Sequence, residues 1–451
     1  MNPVKSVFFR AIAALLLMPA VFCAEDISKL PDDAGFWETT RSGLQKKYKK
    51  TLVSDGTDSL YCPPEALKLF SFDGEKIYDL KFTFSGEQLD EIHISLYTRG
   101  DAVLKTPEKK EKEDPEEDSP KKKKKKKNDK KKDDKKKNNK NSSAKEFFKK
   151  SDAIEKNLTR LYSLGEKKRS SMKMAGVKVY VSRWEKKDFT VELSRAVNED
   201  KSPEYITVDF IRSGKTSSKL KQNIKSKIDP ASLVSRLQKE DNSTYMILPM
   251  IDQGQKGYCV PSTIARVLAY YGSDIELHAL AGMMGVDPKR GITMDKTIEV
   301  LEKIDSKIDV EFKMLYTFPD FAPRKLNFFI KKYNSLARRK NAAELDISKG
   351  AKNSFNGEIF TQLRSGDPWK KRFFTEVRRS VDHGIPLCWG TIIFPQKKGG
   401  ACSYHLRLIV GYSTEPEGVV FSDSWGKGHE RNIENLDEAW GRTMFLFSLT
   451  P

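Results

Sequence analysis

The chain has 451 residues, with 82 Lys and Arg against 63 Asp and Glu, a formal net charge of +19, five cysteines and five histidines. That length admits roughly two or three domains, and so few cysteines in so long a chain do not make a disulfide framework. The histidines are scattered, with no CxxC or HExxH spacing, so neither a metal site nor a cofactor is expected.

In chain order, Lys5 and Arg10 precede an apolar run from Ala11 to Phe22, and the small residues Cys23 and Ala24 follow. The run is short for a bilayer span and reads as a signal peptide over 1–23. An acylated Cys23 or an uncleaved anchor are the alternatives. The mature protein is therefore expected to be exported, periplasmic or secreted. Residues 24–104 form the first half of an α+β module. Phe36, Thr40, Leu44 and Tyr48 recur at helical spacing. Leu67 and Leu69, then Tyr78 to Phe84, then Ile92 to Leu96, alternate as strands do. His93 falls in the last of these and reads as an ordinary strand residue.

Residues 105–144 hold 18 Lys and 10 acidic residues and almost nothing apolar. Such a segment cannot bury enough surface to offset the entropy of ordering it and reads as a disordered insertion. Its lysines can make weak contact with an anionic surface. With no aromatic residues between them to stack on bases, a specific nucleic-acid role is not expected. Residues 145–214 repeat the earlier order, with a helix over Glu146 to Leu164 and strands at Val177 to Val181, Phe189 to Leu193 and Ile206 to Phe210. Each half thus reads as a helix plus three strands. Residues 215–244 read as a linker with one amphipathic stretch, Leu233 to Leu237, and 245–451 as the second domain.

The densest motif runs from Met250 to Gly272. After Cys259, the residues Val260, Ile264, Val267, Leu268 and Tyr271 share one helical face, Pro261 suits a first turn, and Gly272 is a natural stop. Cys259 then opens a buried helix, where free backbone N–H groups and the helix dipole favour an anion. A thiolate so placed is a nucleophile. Gln253, six residues earlier, can fold back and donate, together with the Cys259 N–H, to an oxyanion. Gln255 is the competing donor. The bland alternative for Cys259 is a structural cysteine at a helix start.

This stretch resembles the papain-like cysteine peptidase superfamily, in which a Gln stands six residues before the nucleophile. It is most similar to the branch of bacteriocin-leader peptidases and their stand-alone, exported bacterial relatives. The similarity lies in Cys259-Val260-Pro261-Ser262-Thr263, in Leu268-Ala269-Tyr270-Tyr271-Gly272, and in Gly291-Ile292-Thr293-Met294. The resemblance implies a Cys, His, Asn or Asp order along the chain. His405 opens the apolar strand His405 to Gly411, and Asp423-Ser424-Trp425-Gly426 follows where papain relatives carry Asn-Ser-Trp-Gly. It implies that Asp423 orients the His405 ring and that Trp425 covers their bond. Val260 and Tyr258 depart from the usual neighbours of the nucleophile and are expected to narrow the oxyanion hole or alter specificity. The segment Asp309 to Arg379, with a basic helix near Lys325 to Lys340, exceeds a minimal domain and is expected at the substrate cleft or as a lid.

His278, His383 and His429 are the rival histidines, expected at a helix contact, a helix-to-strand turn and a polar loop. Cys388 and Cys402 flank an expected hairpin whose simplest register sets Cys402 opposite Ile393. No bridge between them is expected, and the state of Cys62 is open. The expected activity is hydrolysis of peptide bonds in a peptide or protein substrate through a thioester acyl-enzyme. An acyl transferase or amidase with the same three residues, or a non-catalytic binding protein of the same fold, remain open. So does an inhibitory pro-region role for the N-terminal half.

Overall fold

The computed structural model describes residues 24–451 except 34, 50, 56–57, 106–143, 175–176, 199–200, 216–229, 274, 305–309, 319–322, 346–354, 366–367 and 395–401. The expected signal peptide, all but the two end residues of the Lys-rich insertion and about half of the expected linker lie outside the described residues. The architecture is α+β throughout, built on two large antiparallel sheets.

The first sheet has eight strands. In spatial order they are Val53–Ser54, Ser59–Tyr61, Asp79–Ser85, Gln88–Thr98, Pro203–Arg212, Phe189–Asn198, Val177–Glu185 and Lys168–Met174. Alternation sends Ile92, Ile94 and Leu96, and likewise Ile206, Val208 and Phe210, to one face. There they pack on Leu44 of the helix Arg41–Lys47 and on Phe147, Ile154 and Leu158 of the helix at 144–161. Each half contributes four strands to this sheet, not three. The last strands of the two halves pair at the centre, with His93 opposite Asp209. The two strands of this sheet missed in the first half, Val53–Ser54 and Ser59–Tyr61, are short. The one missed in the second, Lys168–Met174, is polar over its first four residues and has only Met172 and Met174 as apolar positions.

Two further expectations are corrected. Leu67–Leu69 is a 3-10 turn, because Leu69 N donates to the Ala66 carbonyl and Phe70 N to the Leu67 carbonyl, continuing a turn begun at the Pro63 carbonyl. Phe36 lies outside the first helix, in its own 3-10 turn Phe36–Glu38. Thr40 is the N-cap, its Oγ1 accepting from Gly43 N at 3.0 Å.

The second sheet runs Gln238–Glu240, Ser243–Tyr245, Ser403–Thr414, Leu387–Ile393, Thr443–Thr450 and Glu311–Thr317. Glu417–Ser422 pairs with Ser403–Thr414, and Asn432–Asn435 with Glu417–Ser422. The first two strands and Leu233, which belongs to the same core, fall within the segment expected to be linker, so this core begins before Tyr245. The hairpin register places Ile393 opposite Ser403, one residue from the expected pairing, and Cys62, Cys259, Cys388 and Cys402 are all free thiols. The basic helix is Pro323–Arg339; it packs through Tyr333 and Ala337 in a small separate core with Ile359.

The two parts are docked. Val177, Val179, Ala196 and Tyr205, on the other face of the first sheet, pack on Ala279 and Met283 of the helix Leu277–Met283. Arg99 Nη2 donates to the Val286 carbonyl at 2.7 Å, and Lys256 pairs with Asp101 at 3.0 Å.

Gly411 sits where the strand Ser403–Thr414 meets Ser243–Tyr245. A Cβ there would lie 2.4 Å from the Thr244 carbonyl oxygen and 2.8 Å from Tyr245 Cα, backbone atoms that cannot swing away. Gly411→Ala is expected to destabilise the fold by about 1–3 kcal/mol. Denaturant unfolding monitored by tryptophan fluorescence checks this, and an unchanged midpoint contradicts it.

Candidate active site

Cys259 is the first residue of the helix Cys259–Tyr270, follows Tyr258 at the N-cap, and is half-buried. The loop before it is shaped by close backbone approach. Gly257 N donates to the Pro288 carbonyl at 2.7 Å, and a Cβ on Gly257 would lie 2.5 Å from Gly291 N. Only glycine fits that approach.

The helix is bonded to the strand that carries His405 and to the end of the strand that precedes Asp423. Thr263 Oγ1 donates to the Leu406 carbonyl at 3.1 Å, next to His405. Arg266, seven residues after Cys259 and 1% exposed, donates from Nε to the Pro249 carbonyl at 2.8 Å, from Nη1 to the Asp423 carbonyl at 2.8 Å and from Nη2 to Ser422 Oγ at 2.6 Å. Burial lowers the Arg266 pKa to about 10, partly countered by Asp423, so the guanidinium stays charged at neutral pH.

These ties bring Cys259, His405 and Asp423 together. His405 and Asp423 are 6% and 1% exposed. His405 Nε2 and Asp423 Oδ1 form a short hydrogen-bonded ion pair, and Cys259 lies within hydrogen-bonding reach of the same ring. With Nε2 engaged by the carboxylate, Nδ1 is the nitrogen left for the thiol. Burial works against the imidazolium. The hydrogen bonds to Asp423 and Cys259, and the charges of both, outweigh it and raise the His405 pKa to about 8. Burial would likewise raise Asp423. The His405 ring, Arg407 with Nε at 3.1 Å from Oδ2, and the Ser424 N–H at 2.8 Å from Oδ1 outweigh it and hold the carboxyl below its usual range.

Trp425 is 41% exposed and stacks on His405, with ring centroids 4.6 Å apart and 20° between planes. It covers one face of the imidazole from water. Gln253 is buried beside this group. Its Oε1 accepts from Ser424 Oγ at 2.7 Å, its backbone N donates to the Ser424 carbonyl at 2.9 Å, and Nε2 donates to the Lys256 carbonyl at 3.2 Å. One Nε2 proton remains for another acceptor. Gln255 is exposed.

The rival histidines lie elsewhere. His278 is 4% exposed, faces the Tyr258 ring at 5.8 Å, and its Nδ1 has no partner among the described residues. Burial, with the nearby Lys256 charge, depresses its pKa to about 3. His383 closes the helix Trp369–Asp382, with Nδ1 at 2.7 Å from the Arg379 carbonyl. His429 packs edge-on to Trp425 with ring centroids 5.5 Å apart. His93 is more than an ordinary strand residue, since its Nδ1 lies 2.5 Å from the fully buried Asp209 carboxylate. Tyr258 is 1% exposed and turns toward Gly100 of the first domain, where a Cβ would meet its hydroxyl at 2.9 Å. Among the described residues no cluster of His, Cys, Asp or Glu could hold a metal ion.

Sequence reasoning passed over Arg266, Arg407 and Ser424. Arg266 left one legible signal: a charged residue inside an otherwise apolar helix must find acceptors in the core. Arg407 left the same signal in the strand after His405.

A family model, Peptidase_C39 like family, matches residues 332–446. The match takes in His405 and Asp423 and stops short of Gln253 and Cys259. It covers about a quarter of the chain and supports a cysteine-peptidase-like fold of the papain superfamily for the C-terminal region. No curated protein matches the chain.

Two outcomes follow. The pair couples stability to pH with a definite sign. His405 has a folded pKa above its ordinary value of 6.5, so its contribution is full below that value and is lost as pH rises through about 8. Asp423 has a depressed pKa, so its contribution is present above its ordinary value of 3.8 and is lost as pH falls below that. A nitrogen-15 NMR titration is expected to give a His405 midpoint near 8, falling in Asp423→Asn; an unmoved midpoint contradicts the pairing. Arg266→Lys keeps the charge but cannot reach three acceptors at once. It is expected to lose roughly 2–4 kcal/mol in denaturant unfolding, and a change within error would show that these bonds carry no stability.

Proposed function

We propose that the chain is a cysteine peptidase in which Cys259 attacks, His405 handles the proton and Asp423 orients the ring. The single observation behind this reading is the His405 ring held between the Asp423 carboxylate and the Cys259 thiol, with Trp425 stacked over it. The thiol proton passes to Nδ1, giving a thiolate and imidazolium pair, and the thiolate sulfur bonds to the peptide carbonyl carbon. The oxyanion receives the Cys259 N–H and the free Nε2 proton of Gln253, whose burial against Ser424 favours it over exposed Gln255. Collapse of the tetrahedral adduct breaks the C–N bond, and the imidazolium gives its proton to the leaving amine. Water, deprotonated by His405, then hydrolyses the thioester.

The motif around Cys259 supports placement near the leader-peptidase branch, and Lys5, Arg10 and the following apolar run support export. The matched helix-plus-strands order of the two N-terminal halves supports a duplicated module. An acyl transferase differs only in the nucleophile that takes the acyl group, so the same assay with added amine distinguishes it.

The full chain is expected to hydrolyse members of a peptide library, and Cys259→Ala to abolish this. Gln253→Ala is expected to cut kcat by about a hundredfold or more with little change in KM. Iodoacetamide should label Cys259 ahead of the buried Cys62, Cys388 and Cys402. Equal labelling of all four, with no hydrolysis, would overturn the reading.

A further inference from the structure

A cleft of about 760 Å³ lies between the first sheet and the C-terminal domain. Neither Cys259 nor His405 lines it. It opens beside them instead, bounded by Trp425 and by the loop Asp252 to Lys256 that leads to the nucleophile. The first sheet supplies the opposite wall, including Tyr61, Asp79 and His93.

Three features of the cleft point to one kind of ligand. First, its walls join apolar side chains, among them Met250, Ile275 and Leu277, to carboxylates. A long alkyl stem ending in a cation matches that mixture. Second, the carboxylates at the Trp425 end are poorly neutralised. Asp252 is raised by burial and by the like charges of Glu65 and Asp79 in spite of Lys256, and neither Asp252 nor Glu65 has a salt-bridge partner among the described residues. Asp252 Oδ2 lies 2.2 Å from where a Cβ on Gly426 would be, which puts it directly against the Trp425 turn. The lysines of the cleft are committed or peripheral. Lys256 pairs with Asp101 at 3.0 Å, Lys81 leans on Asp55 at 4.0 Å, Lys76 lies over the Tyr78 ring, and Lys68 is exposed.

Third, and independently, the Tyr61 hydroxyl is buried with no hydrogen-bond partner among the described residues, in a side chain only 7% exposed. A buried hydroxyl without a partner is costly. Burial, then the charges of Asp252, Glu430, Asp55 and Glu65, raise its pKa well above the ordinary value. A group lying among four carboxylates is suited to accept from a cation's N–H.

We propose that this cleft receives the leaving side of the substrate and selects a Lys or Arg side chain there, its stem against Met250, Ile275 and Leu277 and its cation held by Asp252, Glu65 and the Tyr61 oxygen. The side follows from the chemistry: the cleft adjoins Trp425, which covers His405, the group that protonates the departing amine. The assignment of side rests on the hydrolase reading. The cation site rests on the cleft alone.

The test uses the full chain in two assays. In the first, a peptide library is digested and the residues flanking each cut are read by mass spectrometry. Lys and Arg should be enriched about tenfold over norleucine on the leaving side, and Asp252→Asn and Glu65→Gln should each shrink that ratio. Asn at 252 retains the oxygen that accepts from Gly254 N, and Glu65 is exposed, so both variants should fold. In the second, calorimetry measures binding of an Ala-Lys-Ala peptide and of its norleucine counterpart to Cys259→Ala protein, with tighter binding of the Lys peptide expected. Hydrolysis without a cation preference, or a preference untouched by both variants, overturns the cation site and leaves the peptidase standing. Charge-selective binding without hydrolysis overturns the peptidase and leaves the cation site. Neither binding nor hydrolysis overturns both.

Discussion

The pair formed by Asp423 and His405 is almost wholly removed from water, and a buried carboxylate is unfavourable unless nearly every lone pair finds a donor. Here His405 and the Ser424 N–H serve Oδ1, while Arg407 faces Oδ2. Arg266 then holds the Asp423 carbonyl from the helix that begins with Cys259. One guanidinium therefore sets the distance between the element bearing the thiol and the segment bearing the carboxylate. Loss of either the charge or the fork geometry would leave buried acceptors unpaired and free the two elements to separate.

That arrangement is continued outward by the first domain. Gly100 and Asp101 lie against Tyr258 and Lys256, just before Cys259, and Arg99 ties the same segment to Val286. The sheet of the first domain thus does two things with its two faces. One face buries the helices of its own core. The other docks on the helix Leu277–Met283 and walls a cleft whose far side is the loop carrying Gln253. A charge row across four strands, Tyr61, Lys81, His93 and Asp209 in register, gives that second face its polar character.

Legibility varied with the range of the interaction. The helix after Cys259 was visible because its apolar spacing and its Gly272 stop are local, and the strand after His405 because Leu406 and Leu408 to Val410 are apolar with Arg407 alone between them. The pattern at Phe36 to Tyr48 misled because spacing cannot tell an N-cap from an interior position, and Thr40 is a cap. Leu67 and Leu69 misled because alternation over two residues carries no weight against the turn made at Pro63. Lys168–Met174 was invisible as a strand because its edge position demands little burial.

The sequence alone determined the local setting of each candidate group: a thiol at a helix start, an imidazole at a strand end, a carboxylate before Ser-Trp-Gly. Their meeting was decided only by the tertiary structure, through Arg266, Ser424 and Arg407. So was the cleft, whose walls come from residues nearly 200 positions apart in the chain, such as Tyr61 and Asp252. The physical reason is that backbone propensity and side-chain period act over a few residues. The satisfaction of a buried charge, by contrast, is settled by whichever donors packing brings near, and those leave little pattern in the order of the chain.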